Sequence, residues 1–192
     1  MLRSSRFVAS FVTALAVGGA ATIVPATPAL AADSPIYRTI LQPGEDESQV
    51  MVTWRTKSKA DEVLEVTGPE GTKTFRAEER DYGALLYKSQ FATATDLQPD
   101  TEYSYRVGSE EGGWSEPETF NTGSNGDEWS FLTVADPQIG VDLKVDDQAE
   151  QWRKTIAHAA SHVPNANMIW SLGDQVEGWG AQVPQYDAYF SA

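Results

Sequence analysis

FLTVADPQIG (residues 131–140) and IWSLGDQVEG (residues 169–178) share one build, an apolar run halted by an aspartate, Asp136 in the first and Asp174 in the second. Apolar runs of this length fit strands buried on both faces. Between them, AEQWRKTIAHAASHV places Trp152, Ile156, Ala159 and Val163 at helical spacing, with Asp146 or Asp147 available to cap the start and Pro164-Asn165 to end it. A strand from Trp129 to Val134, this helix and a strand from Met168 to Leu172 make a βαβ unit. Right-handed crossover makes the two strands parallel neighbours, so their carboxyl ends share one edge about 5 Å apart. Open α/β sheets gather ligands at that edge. Asp136 and Asp174 can therefore converge on one point. Two carboxylates that close repel or share a proton, and cations between them relieve the conflict.

Upstream, the periodicity is different. QVMVTWRT alternates Val50, Val52 and Trp54 with Met51, Thr53 and Arg55, the pattern of a half-buried antiparallel strand. Val63 to Val66, a turn with Gly68, Pro69 and Gly71, and a return through Phe75 form a hairpin. After KSQFATAT, Leu97, Pro99, Thr101 and Tyr103 alternate into Tyr105 and Val107. This run resembles the tyrosine corner of a fibronectin type III sandwich, in which a tyrosine hydroxyl ties back to the upstream backbone. The other reading is a β-sandwich of a different kind with a tyrosine in its core. NTGSNGDE (residues 121–128) is rich in turn formers and almost free of apolar side chains, so residues 123–128 read as a linker.

The amino terminus carries MLRSSR, an apolar stretch from Phe7 to Val24, and Ala29-Leu30-Ala31 in small-x-small form. This is the pattern of a signal peptide over residues 1–31, cleaved to leave an exported, secreted or extracytoplasmic protein. A retained membrane anchor is the competing reading. Arg3 and Arg6 are separated by two serines, so the signal is not of the twin-arginine kind. Losing those two arginines moves the formal charge from −14 to −16. Nucleic acid is excluded as a partner on this ground, as are anionic membranes once the signal is cleaved. A phosphorylated substrate would need bound cations to reverse the local sign. The absence of cysteine excludes disulfides, thiolate zinc sites and iron–sulfur clusters.

Taken singly, Asp-Pro or Gly-Asp after a strand is commonly a turn; their joint placement on one edge favours a site. A fibronectin-like domain, a short linker, then strand-Asp-x-x and strand-Gly-Asp-x-x resembles the purple acid phosphatases, within the calcineurin-like metallophosphoesterases. The resemblance implies a binuclear metal centre in which Asp136 binds one ion and Asp174 bridges both. Hard oxygen ligands suit two divalent or trivalent ions drawn from iron, manganese, zinc or magnesium. Many of these enzymes have histidine two residues after the first aspartate, where this chain has Gln138, a weak ligand at best. The purple enzymes carry tyrosine three residues after the second aspartate, where this chain has Glu177, a harder anion without a phenolate chromophore. The family's later Gly-Asn-His and Gly-His-x-His blocks are absent from the 192 residues, so no catalytic residue is assigned.

The expected organisation is therefore multidomain. A fibronectin type III-like β-sandwich over residues 32–122 is followed by the linker and by the first βαβ unit of an incomplete α/β metallophosphoesterase domain over residues 129–192. The expected activity is hydrolysis of phosphate esters, with this chain an amino-terminal fragment inactive alone. The alternative is a noncatalytic exported binding module with a vestigial α/β segment. His158 and His162 have the i, i+4 spacing of a zincin helix, but Ala159 stands where the glutamate base belongs. They are expected to be exposed and unliganded.

Overall fold

The computed structural model describes residues 36–80, 87–124, 126, 128–178 and 182–191. The expected signal peptide lies outside the described residues, as do Asn125 and Asp127 of the expected linker.

The described residues up to Asn121 form nine strands, of which β2, β3, β6 and β7 carry the clearest alternation of buried and less buried residues: β1 (Ile36–Pro43), β2 (Val50–Thr56), β3 (Val63–Gly68), β4 (Gly71–Arg76), β5 (Glu78–Arg80), β6 (Lys88–Ala94), β7 (Glu102–Ser109), β8 (Gly113–Trp114) and β9 (Glu118–Asn121). They form two antiparallel sheets. One has the order β1-β2-β6-β5; the other has the order β4-β3-β7, with β8 and β9 both pairing with β7. Val52, Trp54, Leu64, Val66, Ala92, Ala94, Tyr105 and Val107 fill the space between them, each almost fully buried. Strands β1, β5, β8 and β9 have no strong alternation of their own, and only pairing with their neighbours reveals them.

Two polar devices lock this sandwich. Glu62, just before β3, is buried and accepts hydrogen bonds from Trp54 Nε1 at 2.7 Å and Thr56 Oγ1 at 2.8 Å, joining a β2 side chain row to the start of the opposite sheet. Its carboxylate satisfies both buried donors, which would otherwise each cost about 1–3 kcal/mol. The second device is the tyrosine corner. Tyr103 Oη accepts the Gln98 backbone N–H at 2.9 Å, and the ring stacks on Phe120 with centroids 5.5 Å apart. Gly68 is required beside it, because a Cβ there would lie 2.2 Å from the Tyr103 ring.

Beyond Thr122 the chain forms β10 (Ser130–Val134), α1 (Val145–His162), β11 (Ala166–Ser171) and α2 (Gln182–Tyr189). β10 and β11 are parallel, with Leu132 opposite Ile169 and Val134 opposite Ser171. The βαβ crossover is therefore present. Helix α1 begins earlier than its apolar spacing implies: Lys144 holds the N-cap position without a side-chain cap, and Asp146 and Asp147 lie inside the first turn. There they act on the helix dipole instead of capping it. Ala149 and Trp152 are the buried residues of α1; Trp152 stacks on Tyr189 and donates from Nε1 to its carbonyl at 3.1 Å.

The expectation that both apolar strands are buried on both faces is corrected. Ile169 and Trp170 point to opposite faces of the sheet, yet they are 48% and 54% exposed. Two strands and two helices have too little apolar area to cover both faces of even a small sheet. The second core is correspondingly small, centred on Ile139, Trp152 and Tyr189.

Two stability measurements test this account. In urea unfolding, Tyr103→Phe should cost about 1 kcal/mol and Glu62→Ala about 2–4 kcal/mol, because the latter strands two buried donors; equal losses would contradict it. The second concerns alkaline pH. Burial, and then the Glu118 carboxylate that accepts its hydroxyl at 2.9 Å, push the Tyr105 phenol well above its ordinary range. The unfolded chain then ionises first, near the usual tyrosine value of about 10. Stability should be fully present below that pH and fall as pH rises past it, and Tyr105→Phe should flatten the fall.

Candidate metal centre

The pairing of β10 with β11 does not stop at the strand ends. Leu172 N–H donates to Val134 O at 2.9 Å, Asp136 N–H to Gly173 O at 3.3 Å, Gln138 N–H to Asp174 O at 2.9 Å and Glu177 N–H to Ile139 O at 3.0 Å. An isolated parallel bridge joins Ile139 to Val176. The two aspartate loops thus run side by side, as the βαβ reading requires.

Within them, Asp136, Gln138 and Asp174 all have left-handed backbones, with φ of 54°, 43° and 46°. Aspartate tolerates this region; for glutamine it is unusual. Such conformations cost about 1–3 kcal/mol each and cluster where a site needs a particular backbone. Both aspartates are exposed at the sheet's carboxyl edge.

The two auxiliary candidates are placed differently from the carboxylate pair. Gln138 Nε2 donates to Asp174 Oδ2 at 3.3 Å, so its amide steadies that carboxylate. Glu177 Oε2 accepts from Gln185 Nε2 at 3.2 Å and is held toward α2. Among the described residues, no group of three or more histidine, cysteine, aspartate or glutamate side chains lies close enough to hold a metal ion. His158 and His162 lie exposed on α1, their rings 4.4 Å apart, with the His162 Nδ1 hydrogen directed at the His158 carbonyl 2.9 Å away.

Sequence reasoning missed the two glutamines that brace these loops. Gln148 of α1 accepts the Gly140 N–H at 2.7 Å and donates to Val141 O at 2.6 Å. Gln185 of α2, which is 4% exposed, accepts the Gly178 N–H at 3.1 Å while it donates to Glu177. Gly140 has φ 113°, and a Cβ there would meet Gln185 Nε2 at 2.2 Å. Neither glutamine carries a spacing signal; only the glycines beside them hinted at close packing.

Residues 36–122 match the family described as the purple acid phosphatase, N-terminal domain. The chain is purple acid phosphatase-like in this amino-terminal region. Among solved structures, the purple acid phosphatase PPD1 from yellow lupin (Lupinus luteus) seeds aligns with a TM-score of 0.62 at 15% identity, over 82% of this chain and 32% of that one. That likeness concerns the fold, and the chain spans about a third of the lupin protein's length. The sensor domain of the anti-sigma factor RsgI4 of Pseudobacteroides cellulosolvens, with a TM-score of 0.35 and 17% identity over 50% of this chain and 97% of that one, is too distant to bear on function. No curated protein matches the chain.

Bracing of the two aspartate loops by Gln185 is open to test. Gly140→Ala combines a strained backbone with a clash and should cost about 1–3 kcal/mol. Gln185→Ala should speed hydrogen exchange at the Gly178 and Glu177 amides while leaving the Gln98 amide of the sandwich unchanged. Uniform loosening of both regions would show that Gln185 has no specific role at the loops.

Proposed function

We propose that this chain carries the amino-terminal part of an exported, binuclear metal-dependent phosphate-ester hydrolase, with Asp136 and Asp174 as its first metal ligands. The observation that carries this reading is the backbone ladder that sets two left-handed aspartates side by side at the carboxyl edge of parallel strands. The purple acid phosphatase-like sandwich upstream supports it. Export rests on the leader pattern of residues 1–31; among the described residues, no helix is long and apolar enough to cross a membrane.

The donor set fits part of such a centre. Two exposed carboxylates supply hard, anionic oxygen suited to iron, manganese, zinc or magnesium. Gln138 would hold Asp174 in orientation, and Gln185 would hold Glu177 in reserve beside the loop. Two metal ions, when bound, clamp a phosphate ester and lower the pKa of a water. The side chains here would anchor and orient; a general acid would come from outside these residues. With two carboxylates and no imidazole, the chain by itself should hold metal weakly and turn over no phosphate ester.

Manganese titration followed by NMR tests the ligand assignment. Paramagnetic broadening should appear first at the amides of residues 136–139 and 173–177, with a Kd on the order of 1 mM, and should vanish in Asp136→Asn and Asp174→Asn. Broadening elsewhere, or unchanged in those variants, would overturn it. The gene read past codon 192 tests the activity: an open frame containing Gly-Asn-His supports the hydrolase, whereas a stop codon there favours the noncatalytic module.

A further inference from the structure

A groove of about 390 Å³ lies on the outer face of the β1-β2-β6-β5 sheet, roofed by Tyr186 and Phe190 of α2. Its sheet side presents three arginines, Arg38, Arg55 and Arg80, together with Gln42, Ser89 and Phe91. The register explains why they gather. Arg55 pairs with Ser89, and Ser89 with Arg80, so the two guanidiniums flank one hydroxyl in a single row across β2, β6 and β5. Strand spacing puts the two arginine backbones about 10 Å apart. Arg38 joins them because a bulge between Tyr37 and Ile40 breaks the β1 register and gives Arg38 a φ of 54°.

Two observations mark this groove as unfinished. Arg55 and Arg80 make no ion pair with any described carboxylate, although acidic residues outnumber basic ones by 28 to 14 in the chain. Arg80 instead lies over the Phe91 ring, its Cζ 4.2 Å from the centroid. The Arg38 side chain is only 7% exposed; it pairs with Asp187 and donates to Val183 O at 3.2 Å, yet among the described residues its Nε is buried without a partner. Buried polar atoms without partners are rare and call for a missing one. Among the described residues, the acidic groups nearby are Asp187, already engaged by Arg38, and Glu78 of β5, exposed opposite Phe91.

We propose that the groove binds a small organic anion, with a carboxylate or phosphate group held by Arg55, Arg80 and Ser89 and its apolar body laid between the sheet and α2. Guanidinium groups bind such oxyanions in charge-assisted pairs. The apolar walls supply what a bare inorganic anion would not use. This site is separate from the aspartate loops and needs no metal ion.

The probes are phenyl phosphate, benzoate and inorganic phosphate, titrated into the full chain by calorimetry and NMR with EDTA present, which removes any contribution from the aspartate loops. Phenyl phosphate or benzoate should bind saturably at least about tenfold more tightly than inorganic phosphate, move the Ser89 and Phe91 amides, and weaken with added salt. Comparing phenyl phosphate with benzoate decides which oxyanion is preferred. Arg55→Gln and Arg80→Gln, both at solvent-accessible positions and so expected to fold, should each weaken binding about tenfold or more, whereas Asp136→Asn and Asp174→Asn should leave it unchanged. Binding unaffected by either arginine substitution, equal affinity for inorganic phosphate, or no saturable binding of any probe would overturn the proposal. Loss of manganese binding at the aspartates alone would count against the metal reading without touching this one.

Discussion

The α/β segment of this protein depends on backbone hydrogen bonds that continue past the ends of two short parallel strands. Parallel pairing by itself would end at Val134 and Ser171. Continued donation from Asp136, Gln138 and Glu177 carries the contact through both loops and brings two aspartates to a common edge. Left-handed backbone at three positions is the cost of that route. The surrounding structure must over-determine it, and Gln148 and Gln185 do so by satisfying loop amides that β geometry leaves free.

The sandwich does not need this support. Its core is continuous, its corner is closed by Tyr103, and Glu62 satisfies two buried donors across the sheets. Among the described residues, the α/β segment lacks comparable cover over β11, where Ile169 and Trp170 remain exposed, as does Leu172 just beyond it. The segment is steadied from elsewhere. Arg38 reaches from the β1 bulge to Asp187 and Val183 of α2, and α2 in turn carries Gln185 to the loops. A single helix thus connects the outer face of the sandwich with the aspartate edge.

Charge is distributed along the same line. The aspartates stand exposed on an acidic chain, a placement that favours cations. Arginines collect on the opposite side of α2, where the bulge and the cross-strand row override the overall negative charge locally. The two proposed sites would take ligands of opposite sign, because two sheets present different rows of side chains near one helix.

The amino-acid order alone determined the features carried by period and local chemistry. These are the alternation of Val52 and Trp54, the hairpin around Gly68 and Gly71, the tyrosine corner, the helix bearing Trp152, and the two strands ending near Asp136 and Asp174. Each follows from interactions among residues close in sequence, or from a period that dictates which face is apolar. Tertiary structure decided the rest. Strands β1, β5, β8 and β9 exist because neighbours offer hydrogen bonds, and the exposure of β11 depends on which layers are present. The roles of Gln138, Gln148, Gln185 and Arg38 were hidden for the same reason: a polar side chain that bridges distant segments leaves no periodic trace, since its partner is set by packing and not by spacing.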